Sequence, residues 1–190
     1  MRKMRIFRGS TSKEGLPVNA HGAYEHAFTG SEMAFVSPTL GAVSLKDMLC
    51  RIGNLAEERG ITPHIVIGAD SQCHGEDICF VCAVTAHYAP WGGIFFYRRE
   101  VTHQVMSLAE RLFREALLCL EMAETLKKNE NGTFRKAGAS PWEIHLDLGE
   151  RGKSRQMLAS VVGMIRGSGY ICRTKPQAWG ASKVADRYSK

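Results

Sequence analysis

At 190 residues, 44% hydrophobic and 23% charged, the chain is long enough to bury one core and lacks the bias of a disordered segment or a fibre. No window approaches the roughly 18 consecutive apolar residues of a membrane span, and no apolar stretch of ~7–15 residues follows the basic start MRKMRIFRGS, so a cytoplasmic, non-membrane protein is expected. The net charge of +6 is concentrated in Arg2, Lys3, Arg5, Arg8 and Lys13, with no acid within residues 1–13, and these would attract polyanions at long range, although a solvated tail reads the same way.

In chain order, residues 1–32 are rich in Gly, Ser, His and Asn without a sustained period and read as a flexible basic arm, leaving 33–190 as one domain. Ser44-Leu-Lys-Asp47 opens a helix with apolar positions at Leu45, Met48, Leu49, Ile52 and Leu55, and Gly60 stops it. His64-Ile-Val-Ile-Gly-Ala-Asp70 is β-branched and apolar, a strand buried on both faces with Asp70 at its exit. Ile78–His87 and Gly93–Glu100 add two strands around the turn Ala89-Pro90-Trp91-Gly92, so the three form an antiparallel meander. Ser107-Leu-Ala-Glu110 is a capping box, and the apolar pattern it opens runs to about Leu126.

After a polar loop over 129–138, Glu143-Ile-His-Leu-Asp147 reads as a fourth strand, with a helix opening at Ser140 as the alternative. Residues 154–165 are helical, Tyr170–Lys175 is a fifth strand ended by Pro176, and Trp179–Lys190 is a last helix. The expectation is an α/β fold with a mixed five-stranded sheet flanked by helices and one extra helix in front.

The cysteines lie mostly in apolar runs and read as small buried hydrophobes. Cys79-Phe-Val-Cys82 has half the spacing of a zinc site but no second pair, and residues three apart on a strand face opposite ways. His145 alternates with Asp147 onto one face and reads as a satisfied sheet histidine.

Two aspartates, Asp70 and Asp147, follow apolar runs at strand ends, where open α/β sheets collect reactive groups. A loop cap explains either one alone. Glu115 is the single charge on the stripe Leu108, Leu112, Glu115, Cys119, Met122 and Leu126, and a buried carboxylate needs a cation, a metal or an opening to solvent. A salt bridge to Arg111 satisfies the same need, and Glu110 competes on the same helix, although the capping box gives it a structural task. Asp186 shares a face with Trp179, Ser182, Lys183 and Lys190 on the last helix.

Ile67-Gly-Ala-Asp-Ser-Gln72, Arg111-Leu-Phe-Arg-Glu115, Ile144-His-Leu-Asp147, Val162-Gly-Met164 and Lys175-Pro-Gln-Ala-Trp179 through Val184-Ala-Asp186 follow one another in matching order. From Met33 onward this resembles the YkuK-like family of bacterial proteins, placed in the ribonuclease H-like superfamily; Ala69 departs from an expected threonine, and the basic arm has no counterpart. The resemblance implies a cluster of carboxylates holding two divalent metals, and carries that role to Asp70, Glu115, Asp147 and Asp186, with Asp70 bridging.

Mg²⁺ or Mn²⁺ suits all-oxygen ligands. Two such ions about 3.5–4 Å apart stabilise both oxygens of a phosphodiester displacement. Ser71 and Gln72 are expected as supporting contacts, and Lys175 and Lys183 as phosphate contacts. The expected function is metal-dependent hydrolysis of nucleic acid, RNA, DNA or hybrid. The alternative is a ribonuclease H-like module that binds nucleic acid with strong salt dependence and cleaves nothing. An ATPase of related fold is disfavoured, because no Gly-rich phosphate loop is present.

Overall fold

The computed structural model describes residues 34–130, 142–148, 155–179 and 181–189. The expected arm over 1–32, most of the loop over 129–138 and the start of the helix expected at 154 lie outside the described residues. A hairpin, β1 (Ala34–Ser37) and β2 (Gly41–Ser44), comes first, followed by α1 (Leu45–Arg59). The meander is β3 (His64–His74), β4 (Asp77–His87) and β5 (Gly93–Thr102). Then come α2 (Leu108–Asn129), β6 (Glu143–Leu146), α3 (Arg155–Gly167), β7 (Ile171–Arg173) and α4 (Ala181–Ser189).

All strands join one sheet in the order β2-β1-β5-β4-β3-β6-β7. It has seven strands rather than the expected five. The added pair is the hairpin: each of its strands is only four residues long, and Gly41-Ala-Val-Ser44 carries no alternation of apolar and polar positions. The mixed character is as expected, with β3, β4 and β5 antiparallel and β6 and β7 parallel to β3 and to each other.

A second correction concerns Asp70. It does not leave β3, because the strand runs on to His74 and pairs Asp70 with Val81 of β4. What ends there is the neighbour on the other side. The parallel ladder of β3 and β6 stops at Ala69↔Leu146, and one residue further the two chains carry Asp70 and Asp147. The rim that the sequence assigns to the end of β3 is therefore made by β6 stopping short.

The two sheet faces have different covers. Odd positions of β3 (Ile65, Ile67, Ala69) join the larger core with Met48 and Ile52 of α1, Leu118 and Met122 of α2, and Val161 and Ile165 of α3. Even positions face a smaller cluster, in which Val66, Val81, Ala83 and Tyr97 meet Ala185 of α4. Cys79 and Cys82 fall into different clusters, on opposite faces.

Local signals set the helix ends. Ser44 Oγ accepts the Asp47 N–H at 3.1 Å, and Gly60 closes α1 in the left-handed region at φ 62°, where a side chain would be strained. At α2, Ser107 Oγ accepts the Glu110 N–H while Glu110 Oε2 accepts the Ser107 N–H at 2.7 Å, the reciprocal capping box.

Candidate functional site

β3 supplies two consecutive polar residues that point to opposite faces. Ser71, on the α2 face, donates its hydroxyl to Glu115 Oε1 at 2.7 Å. Asp70, on the α4 face, accepts the Ser189 hydroxyl on Oδ2 at 2.6 Å. Alternation along one strand thus ties the last helix to one aspartate and the long helix to its neighbour.

The two faces meet in a cavity of about 330 Å³ where β6 ends. Its walls include Asp70, Ser71 and Gln72 of β3, Arg111 and Glu115 of α2, and Asp147. Five of the expected site residues therefore share one space: Asp70, Ser71, Gln72, Glu115 and Asp147. Glu110 stays on its cap, fully exposed and held below the usual carboxylate range by the Ser107 N–H, so Glu115 is the α2 acid that reaches the cavity.

The electrostatics record the crowding. Glu115 is 7% exposed. Burial pushes its carboxyl up to about 8; the Ser71 hydrogen bond opposes this, Asp70 and Asp147 add to it, and Arg111 opposes it. Asp70 is also raised, by burial first, with Ser189 opposing and Asp186 and Asp147 contributing. Three acids distant in sequence thus act on Asp70 or on one another through space.

The remaining expected residues are more dispersed. Asp186 lies on α4 outside the cavity wall, and its carbonyl accepts the Ser189 hydroxyl at 3.2 Å. Lys175 pairs with Asp147, Nζ to Oδ1 at 2.8 Å, with both side chains more than a third exposed. Such a pair is worth about 0–1 kcal/mol and is easily exchanged for another ligand. Lys183 is exposed and does not reach the cavity.

Among the described residues, no three His, Cys, Asp or Glu side chains are gathered closely enough to hold an ion. Each cavity acid is instead engaged locally: Asp70 by Ser189, Glu115 by Ser71 and Asp147 by Lys175. The donor chemistry nevertheless fits a hard divalent cation, being all oxygen and mutually repulsive, and the partners are hydroxyls and an exposed lysine that yield without unfolding anything.

Sequence reasoning missed two participants. Arg111 entered only as a partner for Glu115, yet its guanidinium reaches Ser71 Oγ at 3.4 Å and lines the cavity; its position one turn before Glu115 was the available signal. Ser189 carried no signal beyond standing three residues after Asp186. His145 is fully buried, with Nε2 2.9 Å from Glu143 Oε2 and Nδ1 against the Trp179 backbone, which removes it from the cavity.

Residues 47–190 match the family model described as ribonuclease H-like. The uncharacterised protein YkuK of Bacillus subtilis is 23% identical over 160 residues, covering 78% of this chain and 92% of that protein. Among solved structures, the N-terminal RNase H domain of a Mycobacterium tuberculosis protein, solved as a fusion with maltose-binding protein, aligns at a TM-score of 0.33 and 13% identity. That alignment covers 67% of this chain and 99% of that one.

Proposed function

The chain belongs to the ribonuclease H-like family, and from that premise we propose that it is a metal-dependent nuclease acting on the phosphodiester bonds of nucleic acid. The observation that carries the reading is the meeting of Asp70, Glu115 and Asp147 on one cavity, with the Glu115 carboxyl lifted to about 8. The ionised form of a buried acid of that kind is costly until a cation arrives, which suits a group that waits for a metal.

Asp70, Glu115 and Asp147 would hold Mg²⁺ or Mn²⁺, with Asp186 joining from α4. Bound there, the ions would stabilise charge on the attacking and leaving oxygens and lower the pKa of a bound water. The chain's own residues do the positioning. Ser71 fixes one Glu115 oxygen, while Ser189 orients Asp70. Lys175, on an exposed ion pair, is placed to exchange Asp147 for a phosphate once the acid is engaged elsewhere. The basic arm over 1–32 adds sequence-independent attraction to the polyanion.

The direct test is cleavage of labelled RNA, DNA and hybrid oligonucleotides in Mg²⁺ or Mn²⁺ by wild type and Asp70→Asn. Loss of cleavage in the variant, with unchanged circular dichroism and melting temperature, is expected. Equal activity in the two proteins would refute the site. The second reading, a non-catalytic binding module, is favoured by the local engagement of each cavity acid. It predicts oligonucleotide binding by wild type with no metal-dependent cleavage of any of the three substrates.

A further inference from the structure

The cavity holds one side chain whose chemistry the carboxylates do not explain. Arg111 is the cation among the described residues that line it. It belongs to the first turn and a half of α2, and the capping box of Ser107 and Glu110 holds that turn rigid. One terminal nitrogen makes a long contact, 3.4 Å, to Ser71 Oγ, a hydroxyl whose own proton is already given to Glu115. Its Nε is buried and has no hydrogen-bond partner.

A guanidinium has five N–H donors and no acceptor, so most of this one's capacity is unspent. A buried donor left unmet costs about 1–3 kcal/mol, so an anion brought to this guanidinium would offset a cost the fold already carries. The three acids beside it do not fill that role: the Arg111 contact that forms is to the serine between them, not to a carboxylate.

We propose that Arg111 is a substrate-binding residue that takes a non-bridging oxygen of the phosphodiester entering the cavity. The proposal rests on the nuclease reading of the same cavity and adds to it the group that recognises the anion. Phosphate suits this position better than a carboxylate ligand does. Its two non-bridging oxygens match the fork of a guanidinium, and its tetrahedral shape presents further oxygens toward the acid side of the cavity. Arg111 supplies positive charge on the α2 side of a cavity whose other ionisable groups, among the described residues, are acids. The Ser71 contact then has a second use: it couples the arginine to the serine that orients Glu115.

The test is fluorescence anisotropy of a labelled oligonucleotide with the full chain, in Ca²⁺, between 50 and 200 mM KCl. Arg111→Met and Arg111→Lys are compared with wild type, and melting temperature is read alongside. Arg111→Met is expected to weaken binding ~10-fold or more and to reduce the slope of log affinity against log salt by about 0.7–0.9, the loss of one phosphate contact. Arg111→Lys should keep the slope and recover part of the affinity. If wild type binds and Arg111→Met matches it in affinity and slope, the arginine assignment is overturned while the nuclease reading stands. Arg111→Lys losing as much slope as Arg111→Met would also overturn it, since Arg111 would then act by holding Ser71 in place. If wild type binds no oligonucleotide, both fall together.

Discussion

Glu115 shows how one residue is set by its surroundings. In the metal-free protein pH 7 lies below the raised value of about 8, so the carboxyl is mainly protonated. Glu115→Gln is then a near-isosteric copy of the state already present, and it keeps an oxygen for the Ser71 hydroxyl. Urea unfolding should show the variant more stable than wild type by on the order of 1–3 kcal/mol at pH 7, where the unfolded carboxyl is ionised and the folded one is not, and by more at pH 9. Mn²⁺ affinity, measured by titration, should drop at least ~10-fold, because a neutral amide replaces a ligand that must ionise. A loss of several kcal/mol at pH 7 would instead mean that the carboxylate is ionised and paired. The sequence made Glu115 visible as a lone charge on an apolar stripe. It left the partner open, and the structure answers with Ser71, a residue 44 positions away whose direction depends on strand alternation.

At the scale of elements, α2 and β6 were legible because each carries its own signals, the capping box for one and the early stop at Gly149 for the other. The hairpin β1–β2 and the overrun of β3 past Asp70 were not. Both are decided by pairing with a neighbour, which no local window records. The element that most controls the site is the return from β7 to α4. There the Trp179 ring lies 5.9, 5.3 and 5.7 Å from the rings of His64, His87 and His145. His145 bridges the Trp179 backbone to Glu143, and Glu143 in turn meets Arg173 of β7. This clasp anchors the chain at Trp179, two residues before α4, the helix that carries Asp186 and Ser189. His145→Ala should cost about 1–3 kcal/mol in urea unfolding by leaving Glu143 and the Trp179 backbone unpaired. Amide exchange should rise across α4 more than across α2. Uniform exchange in both helices would show that the clasp does not govern α4.

For the whole molecule, these groups combine into a stability profile with two limbs of opposite sign. On the acid side, burial lowers the pKa of His64, assisted by His145, His87 and Arg173 and opposed by Glu143. The unfolded chain takes up that proton near pH 6.5 and the folded one does not, so stability falls as pH drops below about 6.5. Glu143 continues the limb: burial works to raise it, but His145 and Arg173 outweigh that, and the stabilisation from its carboxylate is lost as it protonates below its ordinary value. On the alkaline side, Asp70 and Glu115 are raised. The unfolded carboxyls ionise first, so the unfolded state binds fewer protons and stability declines as pH rises, for Glu115 between 4.5 and about 8. Melting temperature in EDTA should therefore change little between about pH 4.5 and 6.5, where the His64 and Glu115 effects oppose each other, and fall from 6.5 to about 8, where Glu115 acts alone. Mn²⁺ should act on one limb alone. It neutralises the crowded acids and binds only the folded state, so the alkaline decline should flatten while the acid limb stays where His64 and Glu143 put it. Superimposable profiles in EDTA and Mn²⁺ would mean that the cavity acids hold no ion, leaving their crowding a cost that the fold carries for some other purpose.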